Sequence, residues 1–539
     1  MTRAILIVCL VGVLALPFLL RPRRQVLLQA DETIVVVSPH NEAIRSEFAR
    51  GFQDWYKART GKTVAIDWRV LGGTSEITRF IESEYISSFQ NYWTGKLGRP
   101  WSIEVQAAFA SPHLSADAPA AAREARAAFL ASNVSCGMDV FFGGGSFDFG
   151  RQAEAGRLVD AGIMQSHPDW FESAVIPQSF TGQPYWDPRG RWLGAVLSSY
   201  GIIYNLDSLA RLHIPHEPES WDDLADPRYF GEVALCDPTK SSSIAQAFEN
   251  VIQEHIHREL VRLQPTGVPD AATEREAVRL GWTDGLRLLQ RIGANARYFT
   301  DSSQKPPIDV QQGNSAAGMC IDFYGRAEEQ SARERSGVRR LGYFSPPAGT
   351  VVSCDPIALL RGAPNRGPAI AFMEYVLSLD GQKIWNFRPG TPGGPQRFAL
   401  RRLPIRRDFY RHEDWRQYRS DPDIDPYAGG NPLIYNAAWT GGIFREMAFV
   451  IRVMCEDCHD QLADAWKEIV RAGMPADALA RLDDLSIISY DQMNTRIRQA
   501  LNSKNKVDEV LLAKDLAIQF RRQYREAGEM ARAHAQAAR

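Results

Sequence analysis

Cysteine is scarce in this chain: seven residues in 539 are too few for the disulfide scaffold that stabilises small exported domains. Net charge is scarcer still. With 62 Lys and Arg against 64 Asp and Glu the formal balance is −2, so nothing global argues for nucleic acid, and no such partner is expected. The common phosphate and nucleophile motifs are also missing. Gly143-Gly144-Gly145-Ser146 lacks both the G-K-[ST] ending of a P-loop and the G-x-G-x-x-G spacing of a dinucleotide fold, and no G-x-S-x-G elbow exposes a serine. The expectation is a non-catalytic protein without a cofactor or a resident metal.

What is present is ordinary globular composition, 45% hydrophobic and 23% charged, in a chain long enough for roughly three domains. Arg3 precedes an unbroken apolar stretch from Ala4 to Leu20, which suits a signal peptide and falls just short of the ~20 residues of a comfortable membrane span. Export follows, with residues 1–30 as a signal peptide or an N-terminal membrane anchor. Arg21 to Arg24 oppose simple translocation, and cleavage after Ala30 is weakened by Leu28. Cys9 reads as apolar filler rather than a lipidation site.

Three strand-to-turn transitions carry the fold class. Thr33 to Val37 is β-rich and breaks at Ser38-Pro39-His40; Asn41 then caps a helix with Ile44, Phe48, Phe52 and Trp55 on one face. Val64, Ile66, Trp68 and Val70 alternate along a second strand, and Gly72-Gly73-Thr74-Ser75 open a helix with Ile77, Phe80 and Ile81 as its stripe. Met138 to Gly150 repeats the break at Gly143. Open α/β sheets present ligand-binding backbone at such carboxyl ends of strands. Residues 86–130 interrupt the rhythm as an insertion with one helix. Further on, Leu193 to Tyr204 is strand-like with a polar break at Ser198-Ser199-Tyr200, Ser220 opens a capping signal for a short helix, and Lys240-Ser241-Ser242-Ser243 begin another helix whose N-terminus suits an anion.

Three other segments have a bland and a functional reading. Cys455-x-x-Cys458-His459 has the spacing of haem attachment, yet it sits in a helical pattern, so packing is the default and a local disulfide, a thiol pair or haem the alternatives. His255 and His257 read as a solvated helix face rather than a zinc site. Between Gln396 and Arg419 eight arginines alternate with aromatics, read as a solvated linker face or else a docking surface for an anionic partner or membrane.

The ordered segments MDVFFGGG, GAVLSSYGIIYN, ESWDDLADPRYFGEVALCDPTKSSS, AAGMCIDFYGRAEE and PIALLRGAPNRGPAIAFMEYVLSLDGQKI resemble the family 1 extracellular solute-binding proteins of ABC importers. The resemblance lies nearest the ferric-iron, thiamine, polyamine and phosphonate branch. It covers about residues 33–400 and implies a type II periplasmic-binding-protein fold: two α/β lobes, joined by crossing strands, closing over a ligand. The domain expectation is lobe 1 at 31–195, lobe 2 at 196–340, a return to lobe 1 at 341–400, and a mainly helical extension at 401–539. The implied ligand positions are Ser38, His40, Gly73, Thr74, Ser75, Gly144, Gly145 and Ser146 in lobe 1, and Ser199 and Tyr200 at the crossover. In lobe 2 they are Lys240, Ser241, Ser242, Ser243, Asp322 and Tyr324, with Asp355 beside the return.

The Lys-Ser-Ser-Ser and Gly-Gly-Thr-Ser turns favour an anionic group, whereas Asp322 and Asp355 suit an amine or a metal. Ferric binders of the family use adjacent tyrosines; here Asp322-Phe323-Tyr324 keeps one, which puts free ferric iron in doubt. The leading expectation is a monomeric, periplasmic receptor, tethered or free, that presents a small solute to an inner-membrane ABC permease. A ferric-iron or iron-chelate binder, an exported c-type haem redox protein and a tethered sensor without transport stay open.

Overall fold

The computed structural model describes residues 30–537 except 116 and 504, so the expected export segment, with Cys9, lies outside the described residues. The chain builds two main sheets. In the first, Glu32–Val37 lies between Val64–Arg69 and Val140–Phe142, parallel to both; Ser353–Leu360, Leu193–Ser198 and Leu403–Pro404 extend it with antiparallel pairings. In the second, Ala296–Thr300, Val233–Cys236 and Ala317–Ile321 are parallel neighbours, followed by antiparallel Tyr200–Asn205 and Leu341–Phe344.

The chain passes from the first sheet to the second at Ser199 and returns between Phe344 and Ser353. The polar break at Ser198-Ser199-Tyr200 is therefore the first crossing. Two α/β lobes follow from this topology, and parallel pairing requires helices to connect the strands. Their boundaries are chemically marked. Asn41 Oδ1 accepts from Ile44 N at 3.0 Å to start helix Glu42–Thr60, whose Ile44, Phe48 and Phe52 are buried. Ser220 forms a capping box with Asp223 over a 3₁₀ turn, and Ser241 caps helix Ser242–Leu263.

Several local readings change. Helix Thr74–Asn91 buries Ile77, Ile81, Tyr85 and Phe89 but leaves Phe80 38% exposed, because the stripe rotates past it. The insertion carries two helices of its own, Ile103–Ala108 and Ala120–Ala131, rather than one. They form a small aromatic core in which Phe109 stacks on Phe89 at 4.7 Å and meets Phe129 edge-on at 5.0 Å.

The helical tail packs on the second lobe. Trp466 Nε1 donates to Asn295 Oδ1 at 2.9 Å, Trp282 Nε1 to the Ile488 carbonyl at 2.9 Å, and Gln290 Nε2 to Tyr524 Oη at 3.1 Å. In its last helix, Lys506–Ala537, Leu512, Leu516 and Phe520 face inward while Leu511 and Ile518 are exposed. To reach that lobe the chain crosses a third time. Leu433 N donates to Thr350 O at 2.9 Å, Tyr435 N to Thr181 O at 2.8 Å, and Asn436 N to Gln253 Oε1 at 2.9 Å, so this segment is bonded to both lobes.

Candidate functional site

Three helix N-termini from the two lobes meet at the Gly73, Gly145 and Ser241 turns. Gly73 precedes helix Thr74–Asn91, Gly145 precedes helix Ser146–Glu154, and Ser241 caps helix Ser242–Leu263. A Cβ added to Gly73 would lie 2.5 Å from the Lys240 carbonyl oxygen, and one added to Gly145 would lie 3.7 Å from Ser242 Cβ. Gly144, at φ +118°, turns the chain so closely over Thr74 that a Cβ would sit 2.6 Å from its methyl. At Gly73 the absence of a side chain is what lets the two lobes touch.

Two polar contacts bridge the same seam. Ser242 Oγ donates to Asp148 Oδ2 at 2.6 Å, and Lys240 Nζ stands 3.7 Å from Glu76 Oε1. Burial raises the Asp148 carboxyl above its ordinary value, opposed by the Ser242 bond. Glu76 Oε2 also accepts from Gly73 N at 2.9 Å. Carboxylates therefore already occupy two of the N-termini. Ser75 and Ser243 are half-buried beside them.

A second group lies under the first strand. Ser38 is buried and its Oγ accepts from His40 N at 3.1 Å, a local turn. His40 Nε2 is 3.7 Å from Asp355 Oδ2; burial depresses the imidazole pKa, opposed by Asp355, so the contact is not a true ion pair near neutrality. The partner of Asp355 is Arg402, at 2.8 Å, whose Nη2 also donates to Ser198 Oγ at 2.6 Å. Burial would raise the Asp355 carboxyl, but Arg402 and His40 outweigh it and hold it low. The guanidinium stacks 4.3 Å from the Phe323 ring centroid.

At the crossing, Tyr200 N donates to Thr350 Oγ1 at 3.0 Å, and Tyr200 Oη is 3.2 Å from Ser353 Oγ; half-buried Ser199 accepts the Asp322 N–H at 3.0 Å. Asp322 is fully buried and paired with Arg326 at 2.9 Å. Burial raises the Tyr324 phenol, which sits beside Asn41 and Arg402. Both carboxylates expected to suit an amine or a metal thus already hold an arginine, and the lone tyrosine is kept protonated. Among the described residues no cluster of three or more His, Cys, Asp or Glu is placed to hold a metal.

The residues sequence reasoning missed are Asp148, Glu76, Ser198 and Arg402. Asp148 stood inside the Gly143 segment, and Ser198 next to Ser199. Arg402 had no local signal, and its segment is corrected: Arg402, Arg406 and Arg419 are buried rather than solvated, each bonded to backbone or polar side chains. The cysteine motif lies in helix packing. Cys455 and Cys458 are 1% and 0% exposed, with their sulfurs near the carbonyls of Leu289 and Ala517 respectively, so the two thiols point into different interfaces and present no common face to a macrocycle. His255 Nδ1 contacts the Val251 carbonyl and His257 Nε2 the Ile434 carbonyl, so both are tied to backbone.

Residues 138–410, half of the chain, match the model of a bacterial extracellular solute-binding protein family. The chain belongs to that family. Its two lobes with crossing strands are the type II periplasmic-binding-protein fold the resemblance implied. Among curated proteins it is similar to the phosphoglycerate transport regulatory protein PgtC of Salmonella typhimurium, 24% identical over 36% of this chain and 41% of that protein. It is also similar to the iron uptake protein A2 of Synechocystis, 25% identical over 44% of this chain and 62% of that protein. The matched stretches span 41% to 62% of the lengths of these relatives. Among solved structures, the periplasmic binding protein AfuA of Actinobacillus pleuropneumoniae, with fructose-6-phosphate bound, is 16% identical, with 82% of this chain and 99% of that one covered and a TM-score of 0.48. Among the described residues no helix is long and apolar enough to cross a membrane.

Proposed function

We propose that this chain is the solute receptor of an ABC importer, capturing a small solute with an anionic group between its lobes and presenting it to an inner-membrane permease. The observation that carries the reading is the meeting of the Thr74, Ser146 and Ser242 helix N-termini from both lobes. The positive ends of three helix dipoles favour a negative ligand, and the carboxylates of Asp148 and Glu76 at this seam are protein groups of the same chemistry. Ligand binding then stabilises the closed form that the permease recognises.

The ligand set is Ser38, His40, the Gly73, Gly144 and Lys240 turns, and the crossover pair Ser199 and Tyr200. Asp355 and Tyr324 act from beneath through Arg402. Phosphoglycerate transport, named for the Salmonella relative, supports an anionic solute. The receptor works as a monomer in the periplasm, without chemistry of its own. A thermal-shift screen over phosphonates, sugar phosphates, phosphoglycerate, polyamines, thiamine and ferric chelates tests it. A phosphate-bearing solute raises the melting temperature progressively with concentration; stabilisation by polyamines or ferric chelates alone counts against it.

A further inference from the structure

The last helix, Lys506–Ala537, lies beyond residues 138–410, where the family match falls, so family membership assigns it no task. Its inner side is fixed: Leu512, Leu516, Phe520 and Tyr524 are buried, and Tyr524 Oη donates to the Met454 carbonyl at 3.0 Å. The outer side is left bare. Val507, Val510, Leu511 and Ile518 are each more than half exposed, and helical geometry puts them in one arc of about 100°. No other helix among the described residues exposes more than two large apolar side chains.

Every other exposed residue between Lys506 and Arg525 is a cation: Lys506, Lys514, Arg521, Arg522 and Arg525. Lys514 and Arg525 make no ion pair among the described residues. The acids of the same stretch turn aside and are taken: Glu509 pairs with Arg445 at 3.0 Å, Asp515 bonds Arg496, and Asp508 accepts from Asn505 Nδ2 at 3.2 Å. The outer face is therefore branched aliphatic and positive, with no acid of its own. A second copy fits it poorly, because an isologous contact would lay this positive face on itself. A protein partner fits it less well than lipid does: interface anchors are aromatic side chains and arginines seated in pockets, with Leu and Val under-represented. Anionic lipid offers both of the chemistries the face needs, phosphate at the surface and hydrocarbon just below.

We propose that this face rests on a bilayer of anionic phospholipid. The helix lies in the plane of the interface, with Val507, Val510, Leu511 and Ile518 at the acyl boundary and the lysine and arginine heads on the lipid phosphates. From Lys506 to Arg525 the contact is about 28 Å long. It uses nothing at the seam between the lobes, so it stands or fails separately from the receptor reading.

The test places acrylodan on Leu511→Cys in the full chain, with Cys9→Ser so that the remaining thiols are the buried six. Phosphatidylglycerol vesicles shift the emission to the blue saturably, phosphatidylcholine vesicles do not, and sodium chloride weakens the effect. Lys514→Glu with Arg525→Glu, which breaks no ion pair, weakens vesicle binding at least ~30-fold at an unchanged melting temperature. Val510→Ser with Ile518→Ser weakens it about tenfold. No shift with phosphatidylglycerol, an equal shift with both lipids, or either pair of substitutions without effect overturns the proposal. An equal shift with soluble poly-glutamate assigns the face to an acidic polypeptide, and emission already blue before vesicles are added shows it covered by another part of this chain or a second copy; both overturn it.

Discussion

Ser242 Oγ donates a 2.6 Å hydrogen bond to Asp148 Oδ2, joining the first residue of a second-lobe helix to a first-lobe helix. It ties the lobes directly across the seam, and it involves a buried carboxylate.

Asp148 makes the seam sensitive to pH. Its carboxyl is raised by burial above the ordinary 3.8, so the folded form binds the proton more tightly than the unfolded chain. The stability this gives is full below the unfolded value and is lost as pH rises through the raised one. Asp148→Asn removes the titration and keeps an acceptor for Ser242. Thermal melts should show it more stable than wild type at pH 7, with the difference closing as pH falls toward 4.

Arg402 is the counter-charge for Asp355 and fills the space between Phe323 and Trp385. Arg402→Met leaves the half-buried Asp355 carboxylate without its cation and should cost ~1.5–3 kcal/mol in a denaturant titration. Adding Asp355→Asn should restore a substantial part. A single variant as stable as wild type would remove Arg402 from its structural role.

The six described cysteines are all buried. Burial pushes Cys458 up to about 11 and Cys455 higher, so neither is a thiolate at neutral pH. Ellman's reagent should label the native protein at least ~100-fold more slowly than the denatured one. A pyridine haemochrome spectrum should be blank; a c-type band would show that the thiols are not packed as described.

Much of the scaffold could be read from local chemistry. Asn41, Ser220 and Ser241 mark helix starts because a short polar side chain there satisfies a free backbone N–H, a relation contained within three or four residues. The Gly73 and Gly144 turns were visible because glycine pairs punctuate the chain locally. Arg402 was not, because its partners Asp355 and Ser198 are distant in sequence and only the assembled sheet brings them together. Phe80 was misread because an apolar residue one step off the helical stripe looks like part of it until the neighbouring helix is in place.

Gly73 gives the most direct test of capture between the lobes. Its backbone angles, φ −74° and ψ 173°, suit alanine, so Gly73→Ala should fold normally; yet the added methyl would meet the Lys240 carbonyl at 2.5 Å and hold the lobes apart. Isothermal titration of phosphate-bearing solutes should find one that binds wild type with one equivalent and Gly73→Ala at least ~10-fold more weakly, about 1.4 kcal/mol. A solute held equally tightly by both proteins, or no anionic solute bound by wild type, would contradict it.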